Sequence, residues 1–192
     1  MRYGDWIGTY TGKHFYIIDP RPEDVCIEDI THALSQICRF NGHSVETYSV
    51  AVHCLNVERY LNQHGYDKLI RLYGLLHDAP EAYIGDITRP LKKCLGEGAV
   101  EKIESRIMDA IYAHFGIPKP GADAAKVVKD ADDYILACEA KKYMVNAKEW
   151  GLLPQTEGYT LAFSGDLTKE EAEAFYTYRV STLLESLDEV KL

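Results

Sequence analysis

Two densely apolar segments follow one another between Ser44 and Asp78, and both carry polar groups that an apolar helix has little reason to hold. In the first, Tyr48, Ala51, Val52, Leu55 and Leu61 mark a buried side, and the first half is apolar nearly all round. That pattern predicts a helix over Ser44–Leu61 running through the centre of a domain. The second, Asp67–Asp78, is as dense, with Leu69, Ile70, Leu72, Tyr73, Leu75 and Leu76. Two such helices in succession suit a mostly helical core. His53 lies inside the first segment and His77-Asp78 closes the second. An imidazole or carboxylate withdrawn from water without a partner is costly, so each needs a hydrogen bond, an opposite charge or a metal.

The remaining periodicity is also mostly helical. Ile27, Ile30, Ala33, Leu34 and Ile37 predict a helix from Ile27 to Phe40, ended by Asn41-Gly42. Pro80 disfavours helix at Ala79 and suits the first turn of a new short helix. Gly85 to Pro90 reads as a loop. Helices are expected over Val100–Phe115, Ala122–Trp150 and Lys169–Leu187, with Gly151–Gly165 an irregular stretch that could serve as a flap. Before all of these, residues 5–18 read as a hairpin turning at Thr11-Gly12. No repeat or linker divides the 192 residues, so the expectation is one mostly α domain over 1–192 with a short N-terminal β-hairpin and a helical core over about 27–150.

A net charge of −9 leaves no basic stripe to neutralise a nucleic-acid backbone, and no nucleic-acid partner is expected. A small anion remains compatible, because a metal and one or two cations reverse the potential inside a pocket. Cys26, Cys38, Cys54, Cys94 and Cys138 are odd in number and form no Cys-x-x-Cys pair, which suits reduced, mostly buried thiols in a cytoplasmic protein. No stretch has signal-peptide or membrane-spanning character, so no membrane partner is expected.

Among the seven histidines, His14, His64 and His114 sit in polar or terminal contexts that need no functional reading, and His32 and His43 are ambiguous. Taken alone, His53 is most simply a satisfied core histidine, and Asp132, flanked by Asp130 and Asp133, a surface charge. Together, His53, His77, Asp78 and Asp132 form a stronger set, because desolvated Asp and His are rare without compensation. Two imidazoles and two carboxylates suit one divalent ion such as Mn, Co, Fe, Zn or Mg and leave coordination positions open. Such an ion lowers the pKa of water and stabilises charge on a phosphoryl group.

The segments Tyr48–His53, Leu75-Leu76-His77-Asp78-Ala79-Pro80-Glu81-Ala82, Gly85–Lys92 and Val128–Asp132 resemble those of the HD-domain metal-dependent phosphohydrolases, in the right order over about residues 27–140. Within that superfamily the chain is most similar to small bacterial and phage 5′-deoxynucleotidase-like proteins. The resemblance implies an HD-domain helical bundle with one divalent metal held by His53, His77, Asp78 and Asp132. It places Glu81 and Asp86 at the reaction centre as catalytic residues that orient or activate the nucleophile or protonate the leaving oxygen. It also matches Arg39-Phe40 to an Arg-Trp pair whose arginine contacts phosphate and whose aromatic ring crowds the sugar 2′ position. Arg39 has the fork geometry of a phosphate ligand, and an apolar wall at Phe40 would reject a 2′-hydroxyl by roughly 100-fold at most. Lys92 is a further phosphate candidate. Relatives usually carry Glu or Gln where this chain has Val52, so a hydrogen bond supporting the metal site is either absent or supplied from elsewhere.

The expected function is therefore hydrolysis of deoxynucleoside 5′-monophosphates to deoxynucleoside and phosphate. Alternatives are release of tripolyphosphate from dNTPs and a silent HD-fold protein that binds a nucleotide for regulation. Relatives of this type are commonly dimers, and Tyr176, Tyr178, Val180 and Leu183 on the last helix are candidates for a homodimer interface or for core.

Overall fold

A computed structural model describes residues 2–96, 98–151, 154–156 and 158–188. The chain opens on a two-stranded antiparallel hairpin, β1 (Trp6–Gly8) and β2 (His14–Tyr16), in register Trp6 to Tyr16 and Gly8 to His14. Gly12 takes the left-handed conformation the turn requires (φ +83°), and its N–H donates to Thr9 O at 2.9 Å. The Asp29 carboxylate accepts from Thr11 N at 2.7 Å and Thr11 Oγ1 at 3.0 Å, fastening the hairpin tip to the first helix.

Helices α1 (Ile27–Gln36), α2 (Val50–Gln63), α3 (Lys68–Leu76), α4 (Glu81–Ile84), α5 (Arg89–Leu95), α6 (Ala99–Phe115), α7 (Ala122–Tyr143) and α8 (Lys169–Asp188) follow. The mostly α expectation therefore holds, with the small hairpin in place. As its all-round apolarity requires, α2 is central and packs against α1, α3, α7 and α8. Its contact with α3 is close: a Cβ on Gly74 would lie 2.3 Å from Leu61 Cδ1. Val57, Leu61, Ala131 and Ile135 seal α2 to α7, while the larger core joins α1, α2, α3, α6 and α8. Buried Glu58 binds Arg71 (2.7 Å) and Arg179 (2.6 Å), pinning α3 and α8 to α2.

Several boundaries differ from expectation, each for a local reason. The helix predicted to Phe40 stops at Gln36, because residues 37–39 run extended against 48–50: Val50 N donates to Ile37 O (3.0 Å) and Arg39 N to Tyr48 O (2.8 Å). The same pairing keeps residues 44–49 out of helix, and α2 begins where the Ser49 hydroxyl accepts from Val52 N. Asp67 caps α3 in the same way through Ile70 N. Pro90 starts a helix rather than closing a loop. α7 ends at Tyr143, seven residues before the expected Trp150, and only a short 3-10 turn (Ala147–Glu149) follows.

Of the stretch expected as a flap, Leu152, Leu153 and Glu157 lie outside the described residues. Its later part is tied down: Phe163 N and O pair with the Asn56 carboxamide, both at 2.9 Å, and Gly165 N donates to Tyr143 Oη. On α8, Tyr176, Val180 and Leu183 are buried within the chain, whereas Tyr178 and Phe175 are exposed, so the face bearing the buried three serves as core. No helix among the described residues is long and apolar enough to cross a membrane.

Candidate metal centre

His53 projects from the first turns of α2 and is fully buried, while His77 and Asp78 follow directly on α3. The close α2–α3 approach at Gly74 brings the two imidazoles together, with Nε2 facing Nε2 at 3.2 Å. Asp132 reaches the same point from α7, its Oδ1 lying 3.2 Å from His53 Nε2 and 3.9 Å from His77 Nε2. Asp78 Oδ2 is 3.6 Å from His53 Nε2 and 3.3 Å from His77 Nε2. His53, His77 and Asp132 thus bring one donor atom each within 4.8 Å of one another, and Asp78 approaches both imidazoles.

The hydrogen bonds on the other ring edges decide what that centre can accept. His77 Nδ1 donates to Gly74 O at 2.8 Å, and His53 Nδ1 donates to Glu139 Oε1 at 2.6 Å. With both Nδ1 protons committed, the neutral rings turn two bare Nε2 lone pairs toward each other beside two carboxylates. Such a pair repels unless a cation or a proton lies between, and two imidazoles with two carboxylates fit a divalent cation.

The local field agrees. Burial and the Arg39 charge lower the His53 pKa, yet Glu139 and Asp132 outweigh them and leave it above the ordinary histidine value. His77 is held well above that value against burial, chiefly by Asp78. Asp132 and Asp78 are correspondingly depressed in spite of burial, through His53 and His77 respectively. The cluster is a potential well for positive charge.

Cys54 Sγ, His77 and Asp78 make a second, overlapping trio of possible ligands. Burial raises the Cys54 thiol to about 11, and the protonated thiol is a poor ligand. The other trio, His53, His77 and Asp132, offers its ligand atoms without a thiol.

Glu139 was not singled out in the sequence, although its carboxylate organises this region. It is fully buried, two turns along α7 from Asp132 on the same face, and binds His53, Tyr48 Oη (2.9 Å) and Arg39 Nη2 (3.3 Å). It supplies from α7 the hydrogen bond that Val52 cannot make. A carboxylate inside Leu136–Ala140, one heptad after Asp132, was the available signal.

The same cluster forms part of the wall of a cavity of about 650 Å3. Arg39, Phe40, Glu81, Asp86 and Lys92, all expected from the sequence, line it together with Asp78 and Asp132. Arg39 is buried, lies 3.6 Å from Asp78 through Nη1, and leaves its Nε without a partner among the described residues; Glu81 Oε2 is similarly bare. Burial, then Asp78 and Asp86, push the Glu81 carboxyl well up, and burial raises Asp86 against the pull of Arg39. Lys92 is tied to Glu104 at 2.7 Å. Phe40 and Asn41 both adopt left-handed backbone (φ +55° and +52°), a conformation that asparagine tolerates and that is strained for a bulky aromatic residue. Leu136, Met144, Asn146 and Trp150 complete walls that sequence reasoning did not anticipate.

The HD domain family matches residues 41–134, which include all four candidate ligands but not Leu136, Met144, Asn146 or Trp150 of the cavity wall. An uncharacterized protein of Rhodobacter capsulatus is 37% identical over 142 residues, covering 71% of this chain and 72% of the relative. The uncharacterized protein YfdR of Escherichia coli is 37% identical over 136 residues, covering 71% of each. Similarity of that extent establishes a shared family.

Proposed function

The chain belongs to the HD-domain family, a superfamily of metal-dependent phosphohydrolases, and we propose that it hydrolyses deoxynucleoside 5′-monophosphates to deoxynucleoside and phosphate. The observation that carries this reading is the buried convergence of His53, His77, Asp78 and Asp132 beside the Arg39 guanidinium in the wall of a cavity of nucleotide size. His53, His77, Asp78 and Asp132 would hold a divalent ion, which would supply Lewis acidity toward a phosphoryl oxygen and lower the pKa of water.

The other roles fall to the chain's own groups. Arg39 holds the phosphate, with Glu139 and Asp78 fixing the plane of its guanidinium. Glu81 and Asp86 orient the attacking water and carry the proton needed by the departing 5′-oxygen. Phe40, held in place by its left-handed backbone, walls the sugar on the 2′ side. Lys92, tied to Glu104, stands in the pocket wall as the second phosphate candidate.

Monophosphates are favoured over triphosphates by the state of the remaining cations. Arg89 is paired with Asp133 (2.6 Å) and Lys92 with Glu104, which leaves no uncommitted basic cluster for β and γ phosphates among the described pocket residues. The test is product analysis of dNMPs, NMPs and dNTPs incubated with Mn, Co, Mg or Zn. Deoxynucleoside plus orthophosphate from dNMPs is the expected result. Tripolyphosphate from dNTPs alone would replace the reading with a triphosphohydrolase, and no turnover with any ion would leave a nucleotide-binding protein.

A further inference from the structure

The α7 wall of the cavity changes character along its length. Asp132 belongs to the ligand cluster, Leu136 follows one turn later, and Met144 stands just past the helix end. Trp150 then returns to the cavity after the 3-10 turn, its N–H donating to Ala147 O at 3.1 Å. Arg39, which also lines the cavity, is followed by Phe40. The Arg39 guanidinium lies 5.7 Å from the centre of the Phe40 ring, and that ring lies 6.0 Å from the Trp150 ring at an angle of 59°. Cation, small aromatic and large aromatic therefore succeed one another along one wall.

A nucleoside monophosphate presents phosphate, sugar and base in the same order. From this correspondence, and resting on the nucleotide reading above, we propose that Trp150 is the platform on which the nucleobase stacks. Leu136 and Met144 form the apolar floor of this subsite. The ring is half-buried and open to the cavity, and its indole N–H makes no hydrogen bond among the described residues. Asn41 and Asn146 also line the cavity, and their carboxamides make no side-chain hydrogen bond among the described residues, so each can donate to and accept from a base edge. Beside these groups Phe40 and Asn41 hold left-handed backbone, a conformation that persists at ligand clamps where the surroundings enforce it. Stacking on one indole face tolerates any base, so the subsite favours a base over none more than it selects between bases. Met144, Asn146 and Trp150 all lie beyond residue 134, where the family match ends.

The chain has two tryptophans, Trp6 and Trp150. In the Trp6→Phe protein loaded with Mn, Trp150 fluorescence is followed by stopped flow on mixing with dAMP or with 2-deoxyribose 5-phosphate, which lacks a base. The expected result is rapid quenching by dAMP and none by the sugar phosphate. In Trp150→Ala the ratio of kcat/KM for dAMP to that for the sugar phosphate falls by between about 5- and 150-fold, the range for loss of one base–aromatic stack. Trp150→Phe recovers most of the loss. If the parent hydrolyses dAMP but Trp150→Ala keeps the parental ratio, the subsite is wrong and the phosphohydrolase reading stands. If the parent neither hydrolyses nor is quenched by dAMP, both fall together.

Discussion

Replacing Glu139 with glutamine should weaken metal binding without touching any ligand. The carboxylate accepts from His53 Nδ1 and Tyr48 Oη on one oxygen and from Arg39 Nη2 on the other. A carboxamide has a single acceptor oxygen. Turned toward His53, it preserves that bond but sets its NH2 against the Arg39 guanidinium; turned the other way, it loses His53. Either way the negative charge that makes His53 a better donor is gone. Loss of such a supporting partner typically weakens metal binding by about 10- to 100-fold. Breaking a buried ion pair costs about 3–5 kcal/mol, and because Asp78 remains 3.6 Å from Arg39 the lower end applies. In a chain of this size about 3 kcal/mol corresponds to a fall in Tm of about 6–12 °C. Competition between the protein and a fluorescent chelator for Mn or Zn measures the affinity, and circular dichroism the melting. An affinity within twofold of the parent, in a variant that melts cooperatively, would refute the claim that Glu139 sets the basicity and orientation of His53.

Two further perturbations read other parts of the account. Phe40→Ala should narrow the ratio of kcat/KM for dNMP over NMP, from a parental preference on the order of 100-fold at most toward parity; an unchanged ratio would remove Phe40 from the sugar. Asp29→Asn should loosen the hairpin by about 1–2 kcal/mol, because two bonds from Thr11 lose their charge assistance. Burial raises the Asp29 carboxyl, but the bonds from Thr11 and Thr9 outweigh it and hold the folded-state pKa below the ordinary aspartate value. A depressed carboxylate contributes its stability above the unfolded-state value near 4 and loses it as pH falls through the folded-state value. The stability gap between parent and Asp29→Asn should thus be full at pH 6 and shrink toward pH 3; a gap that grows on acidification would contradict the assignment.

What the sequence disclosed and what it hid divide along the range of the interactions. The central helix, the capped start of α3 and the hydrophobic stripes of α6 and α8 follow from periodicity within one segment. His53 and His77-Asp78 stood out because they interrupt apolar runs, and Asp132 joined them only as a member of the combined set, being most simply a surface charge when taken alone. Glu139 escaped notice because its neighbours Leu136, Ala137, Cys138 and Ala140 read as ordinary core, and only its two-turn offset from Asp132 marks it. The position of Arg39 depended on a backbone pairing between residues 37–39 and 48–50 that helical spacing cannot announce, and the expected helix overran it. Trp150 and Met144 reach the cavity only because α7 ends at Tyr143 and the chain turns back, a tertiary event with no local signature. On α8, Tyr176, Val180 and Leu183 satisfied both the core and the interface expectation until the packing of α1 and α3 against that helix made them core.

The central claim is that four residues create a metal-dependent phosphohydrolase centre, and one titration tests it. Protein stripped with a chelator is supplied with Mn in steps while orthophosphate released from dAMP is measured alongside bound ion. The account predicts no release from stripped protein, recovery that saturates at one ion per chain, and neither binding nor release in Asp78→Ala that retains its helical circular dichroism. Undiminished hydrolysis by the stripped protein, or full turnover by Asp78→Ala, would contradict it.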